Sequence, residues 1–277
     1  MELPLGQMDF ETVGTVSRLL KAAVVNPLVN YLPAGWLRGL LRFTRSELAA
    51  ANWADPGGWR SMVISYNGQC RQWADKLLVA GGTIPMALRN RRRLAGAVLA
   101  RLIDESAADP VQVLCIGAGP GIIITDAMLQ ARRTAEATLL DLNDDAHQFA
   151  GDLARRHGLA ERVRFITGDA RDIDKLTDCR PDIVKMIGIC EYLSDQQIHQ
   201  IVAVLAAVMP AGAVLVANSL SKAHGTDRFF RRVFGLNMIH RSPAQLQELM
   251  AGGGFGDFLS IGEPLGVYHV VVGRKRP

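Results

Sequence analysis

Two kinds of apolar spacing divide this chain. From about residue 10 to residue 95, apolar positions recur at helical intervals in "TVSRLLKAAVVNPLVNYL", "AGWLRGLLRFTRSELAAANWA" and "PMALRNRRRLAGAVLARLIDE". No segment there alternates apolar and polar residues in the manner of a half-buried strand. From about residue 111 the pattern changes to short β-rich runs, "VQVLCIG", "ATLLDL", "VRFITGD", "DIVKMIG", "AVLVANS", "FLSI" and "VYHVVVG", separated by helical stretches. Strands alternating with helices predict crossover units and a mostly parallel sheet. The expected organisation is an N-terminal helical cap over residues 1–95 and an α/β domain over residues 96–277.

Capping residues sharpen several helix ends. Asn143 is placed to cap the helix "DDAHQFAGDLARRHG", and Gly158 stands where a left-handed residue ends it. In "SPAQLQELMAGGGF", Ser242, Pro243 and Gln245 occupy the N-cap, N1 and N3 positions of a capping box.

The stretch "VLCIGAGPGIIITDAM" is the first with chemical content. A strand that enters a glycine-rich turn and leaves as a helix brings backbone N–H groups to a nucleotide. A dinucleotide site needs a third glycine beside the pyrophosphate, and Ile122 stands at that position after Gly117 and Gly119. A triphosphate site needs a following Gly-Lys-Ser/Thr, which the sequence lacks here. S-adenosylmethionine has no phosphate and needs room instead, which the small residues Gly117, Ala118, Gly119 and Gly121 supply. A bare structural turn is the alternative. Two acids favour the ligand: Asp141, at the end of "ATLLDL" beside Leu142, as a clamp for both ribose hydroxyls, and Asp169, with Ala170 beside it, as an acceptor for the adenine amino group.

Composition narrows the partners. The 277 residues carry 31 basic and 27 acidic side chains, a net charge of +4, which disfavours nucleic acid and leaves an anionic small molecule or a membrane surface open. The four cysteines, Cys70, Cys115, Cys179 and Cys190, show no C-x-x-C pairing, and no histidine pair has metal-ligand spacing, so neither a disulfide framework nor a metal site is expected. The start "MELPLGQMDFETVG" has acidic residues where a signal peptide needs a basic one, and no apolar run reaches the roughly 18 residues of a membrane span. A soluble, cytoplasmic protein is expected.

Together, "CIGAGPG", "LLDLND", "ITGDARD" and "PDIVKMIGICEYL" follow the order and spacing of class I S-adenosylmethionine-dependent methyltransferases, and the chain resembles them over about residues 90–277. "RNRRRLAGAVLARLI" and "AGGGFGDFLSIGEPLGVYHVVVGRKR" look like a bacterial methyltransferase subgroup, some of whose members are fused to α/β-hydrolase domains; no G-x-S-x-G elbow occurs in this chain. The resemblance implies a Rossmann-like sheet of seven strands, mostly parallel, with helices on both faces and a reversed final hairpin. It also implies S-adenosylmethionine as cofactor and S-adenosylhomocysteine as product.

Methyl transfer from a sulfonium is an in-line displacement that asks a protein for alignment and exclusion of water. Gly188 to Tyr192 are expected at the transfer mouth, with Glu191 as base or polar anchor and Tyr192 as a packing or catalytic group. Tyr66 is a lid candidate against a buried packing role. Arg89 is a partner for the methionine carboxylate against a solvated helix face. His224 and His240 fall in a segment expected to face substrate, whose arginines, Arg228, Arg231, Arg232 and Arg241, suit a hydrophobic acid or a subunit interface. A small molecule is the expected acceptor. The N-terminal helices are read as a cap, a homodimer contact or a membrane-surface anchor. Transfer of the aminocarboxypropyl arm, and cofactor binding without turnover, are the alternative activities.

Overall fold

The computed structural model describes residues 5–277. Its centre is one seven-stranded sheet of β1 (Val111–Ile116), β2 (Ala135–Asp141), β3 (Val163–Thr167), β4 (Ile183–Met186), β5 (Val214–Leu220), β6 (Phe255–Gly262) and β7 (Tyr268–Lys275), ordered β3-β2-β1-β4-β5-β7-β6. The first five strands pair in parallel, while β7 runs antiparallel to both β5 and β6. The expected reversed hairpin is therefore present.

The helices, in chain order, are α1 (Thr15–Leu20), α2 (Asn26–Tyr31), α3 (Ala34–Phe43), α4 (Glu47–Ala54), α5 (Trp59–Asn67), α6 (Trp73–Asp75), α7 (Thr83–Glu105), α8 (Ile122–Gln130), α9 (Asp144–Arg156), α10 (Ile173–Leu176), α11 (Asp195–Val208), α12 (Asp227–Phe229) and α13 (Pro243–Ala251). Helices α7 to α9 cover one sheet face and α10, α11 and α13 the other. Strand β1 shows why its sequence reads as an unbroken apolar run: Val113 and Cys115 pack toward the first face, Leu114 and Ile116 toward the second. Each such buried aliphatic contributes about 1.5–3 kcal/mol.

The expected caps are in place. Asn143 accepts from the Asp145 N–H, Gly158 has φ 68°, and Ser242 and Gln245 form the capping box. A second box, Ser194 with Gln197, starts α11.

The helical stretch of residues 34–54 is jointed into α3 and α4, because Arg45 turns left-handed at φ 52° and Ser46 caps the new helix at the Ala49 N–H. The boundary expected near residue 95 falls inside α7, a single helix from Thr83 to Glu105 whose residues Leu94, Val98 and Leu99 lie in the main core. A separate core of Leu41, Ala49, Phe229, Val233 and Phe234 joins the N-terminal helices to the segment after β5.

Candidate active site

The site lies at the C-terminal ends of β1, β2 and β4. Beyond Ile116 the backbone takes left-handed angles at Gly117, Gly119 and Gly121 (φ 57°, 54° and 68°), a path that L side chains adopt only under strain. At Gly117 a Cβ would lie 2.2 Å from Ile189 Cγ2. At Gly119 it would meet only Trp59 Cβ, at 3.8 Å, so this part of the turn opens onto space.

Asp141 is locked to that turn. Its Oδ2 accepts the Gly119 N–H at 2.7 Å and its Oδ1 the Asn143 N–H at 3.0 Å, leaving further lone pairs directed at the cleft. Since Asn143 caps α9, Asp141 does not serve as the helix cap. Asp169 accepts from the Arg171 N–H and guanidinium, and those hydrogen bonds pull its carboxyl down to about 2.

One trough runs past these groups. Its deeper part is lined by the glycine turn, Asp141, Tyr66, Arg91, Lys185 and Gly188, with Asp55, Trp59, Met62 and Tyr192 at the mouth. Its outer part is lined by Leu142, Asp169, Ala170 and Gln197. Gly117, Asp141, Ile189 and Tyr192 border both parts.

The floor is cationic. Arg91 is buried, donating to Glu191 Oε1 at 3.0 Å and to the Tyr66 hydroxyl at 3.2 Å, while its Nε has no partner. Lys185 projects from β4 into the same region, and its Nζ donates only to Gly117 O, at 3.4 Å. Burial lowers the Lys185 pKa, with Arg91 pushing the same way and Cys115, Asp141 and Glu191 opposing. Glu191 engages Arg91 from behind and Asp141 is held by backbone N–H groups, so the free donors of Arg91 and Lys185 are open to an anion. At the mouth, the buried Trp59 Nε1 also lacks a partner.

Gly117, Ala118, Gly119, Asp141, Leu142, Asp169, Ala170, Gly188, Tyr66 and Tyr192 all line the trough. Gly121 sits just behind it, as the N-cap of α8. Two readings are corrected, and for Tyr66 the buried packing alternative holds. Arg89 is neither solvated nor in the trough: Glu11 grips its Nε and Nη2, and its Nη1 donates to Ser65 O and Val79 O. Tyr66 is a buried wall on α5 and no lid. Glu191 lies behind Arg91, where it also accepts from Asn218 Nδ2 at 3.4 Å, so it is removed from the trough surface. The expected substrate-facing residues differ as well. His224 and His240 contact each other, Nε2 to Nε2 at 3.3 Å, away from the trough. Arg228 and Arg232 hold Asn30 O, and Arg241 holds Asp195 and two carbonyls.

Sequence reasoning missed Arg91, Lys185, Trp59 and Asp55. Only Lys185 left a trace, as a charge inside the apolar run "DIVKMIG".

A parallel sheet with its last strand reversed, a glycine turn after β1 and an acid closing β2 define a class I S-adenosylmethionine-dependent methyltransferase. The chain belongs to the family described as "Putative methyltransferase", whose model matches residues 86–275. No curated protein matches the sequence. Among solved structures, a "possible exported protein" from Bordetella parapertussis is similar at 16% identity and TM-score 0.68, with 96% of this chain and 100% of that chain covered. The pyocyanin biosynthetic protein PhzM is similar at 16% identity and TM-score 0.54, covering 79% and 73%. The mitomycin 7-O-methyltransferase MmcR is similar at 17% identity and TM-score 0.56, covering 89% and 74%. At these identities the likeness is one of fold. No helix among the described residues is long and apolar enough to cross a membrane.

Proposed function

We propose that the chain transfers a methyl group from S-adenosylmethionine to a nucleophilic atom of a small, partly apolar molecule admitted between α5 and Tyr192. The observation that carries this reading is the polarity of one trough, with carboxylates at Asp141 and Asp169, a cationic floor at Arg91 and Lys185, and the open glycine turn between them. That order matches a nucleoside followed by an amino-acid carboxylate. The space at Gly119 and the unpartnered Arg91 Nε and Trp59 Nε1 fit such an occupant.

Asp141 accepts the ribose hydroxyl protons, Asp169 orients the adenine amino group, and Leu142 and Ala170 flank the base. Arg91 and Lys185 attract the methionine carboxylate, an arrangement in which charge-assisted hydrogen bonds give both strength and register. The chemistry that the cofactor supplies is an electrophilic methyl carbon on a sulfonium. Trp59, Met62, Ile189 and Tyr192 exclude water from the mouth and present an apolar wall to the acceptor. Asp55, at the same mouth, is the carboxylate placed to take the acceptor's proton. Glu191 is a positioning residue that holds Arg91. MmcR, by its name, methylates oxygen, and we favour an oxygen acceptor here too. We place the cap boundary at Gly81–Gly82, before α7 begins. Four unpaired thiols support a reducing, cytoplasmic setting.

Calorimetry with S-adenosylmethionine, S-adenosylhomocysteine and NAD tests the assignment: the first two bind and the third does not, because Ile122 occupies the place of the dinucleotide glycine. Turnover then yields S-adenosylhomocysteine, where aminocarboxypropyl transfer would yield methylthioadenosine. Tight NAD binding with no response to S-adenosylmethionine overturns the reading.

A further inference from the structure

The N-terminal arm, α1 through α3, carries a surface that methyl transfer does not use. Residues 12–46 hold five basic side chains, Arg18, Lys21, Arg38, Arg42 and Arg45, and no acidic one. Among the described residues none of the five pairs with a carboxylate.

The arm is fixed on its inner side. Asn30 Nδ2 donates to Gly225 O at 2.8 Å, and its Oδ1 accepts the Phe229 N–H at 2.9 Å. Arg232 donates to Asn30 O at 2.6 Å, and Arg38 Nε donates to Val233 O at 3.2 Å. With that side tied down, the opposite side is a built surface. It presents Leu19, Leu28, Tyr31, Trp36, Leu40 and Phe43 to solvent, Trp36 at 74% and Phe43 at 84% exposure. Trp36, Leu40 and Phe43 stand at i, i+4 and i+7, one stripe of α3. A stripe of this kind, ringed by polar groups, marks an interaction surface.

We propose that this arm lies on an anionic phospholipid surface. Charge chooses the occupant: Arg38 and Lys21 are turned to the inner side, and a two-fold contact with a second copy would set the exposed Arg18, Arg42 and Arg45 against the same three, whereas an anionic leaflet supplies the opposite sign. The residue types agree, since Trp and Tyr settle at the headgroup level and an amphipathic helix with basic flanks lies in the interface plane.

The test sediments the full-length protein with vesicles of equal parts phosphatidylcholine and phosphatidylglycerol, and with phosphatidylcholine alone. Binding to the mixed vesicles is expected to be at least about tenfold tighter, and to weaken as added salt cuts the screening length from about 10 Å at 0.1 M to about 3 Å at 1 M. The double variant Trp36→Ser/Phe43→Ser should bind at least about tenfold more weakly with an unchanged unfolding midpoint, because both positions face solvent. A charge variant, Arg18→Gln/Arg45→Gln, should reduce binding to the mixed vesicles in the same direction. Equal binding to both vesicle types, or binding to neither, overturns the proposal. So does a two-chain mass by light scattering that falls to one chain in Trp36→Ser/Phe43→Ser, which would assign the stripe to a second copy.

Discussion

Asp141 Oδ2 accepts the backbone N–H of Gly119 at 2.7 Å, which ties the acidic end of β2 to the glycine turn after β1. One carboxylate therefore shapes the turn and, in the proposed function, is also the group that receives the ribose.

The variant Asp141→Asn should show both roles. An amide keeps one acceptor for two N–H groups, so stability should fall by about 1–2 kcal/mol in urea unfolding. Affinity for S-adenosylhomocysteine should fall a further roughly ten- to a hundredfold, read by calorimetry on the same preparation. An unaltered dissociation constant would leave Asp141 a structural residue only. Gly119→Val is the poorer test, since its φ of 54° strains any side chain with or without ligand.

Lys185→Met separates the cationic floor from the fold. A buried ammonium with one long hydrogen bond adds little to stability, so the variant should be as stable as the parent, or more so. S-adenosylhomocysteine should bind at least about tenfold more weakly, while methylthioadenosine, which lacks the carboxylate, should bind as before. Equal losses for both ligands would place Lys185 away from the carboxylate.

Glu191→Gln leaves Arg91 buried without a counter-charge and should cost about 3–5 kcal/mol. If Glu191 only positions Arg91, the KM for the cofactor rises and the pH profile of kcat keeps its shape. A fall in kcat at saturating cofactor with an unchanged KM would instead make Glu191 the base.

His224 gives a pH dependence. Burial, then the neighbouring His240, lowers its pKa to about 4 from an ordinary 6.5, with Asp227 opposing. Between those values the unfolded chain binds the proton more readily, so stability rises with pH across this window and is lost as pH falls through it. From pH 7 to pH 5 the loss should be about 2 kcal/mol. In His224→Gln the urea-unfolding curve over that range should be flatter by this amount; an equal slope in parent and variant would refute the assignment.

The parts of the site that follow chain geometry were legible in the sequence. A turn of three glycines can only be a turn, and Asp141 and Asp169 stand at strand ends whose positions the apolar runs set. Arg89 and Arg91 show where legibility stops. They are two residues apart on one helix, hence about 200° apart around its axis, and only the packing of α7 decides which faces the trough. Trp59 and Asp55 come from the cap, more than 50 residues before β1, and no local pattern announces a contact across that distance. The arginines after β5 mislead for a related reason: a run of cations resembles an acid-binding site, yet its partners are main-chain carbonyls, which leave no mark in composition, and Asp195, 46 residues before Arg241.

Helix α7 holds the cap by Arg89 on one flank and the floor of the trough by Arg91 on the other. The catalytic half is thus no detachable module, although the family match begins only at residue 86. A shortened chain starting there would expose an arginine built to be enclosed by Glu11 and two carbonyls, beside Asn90, which bonds the Glu11 backbone. Swapping caps between relatives to change acceptor preference would succeed only if the outward flank of this helix travelled with the graft.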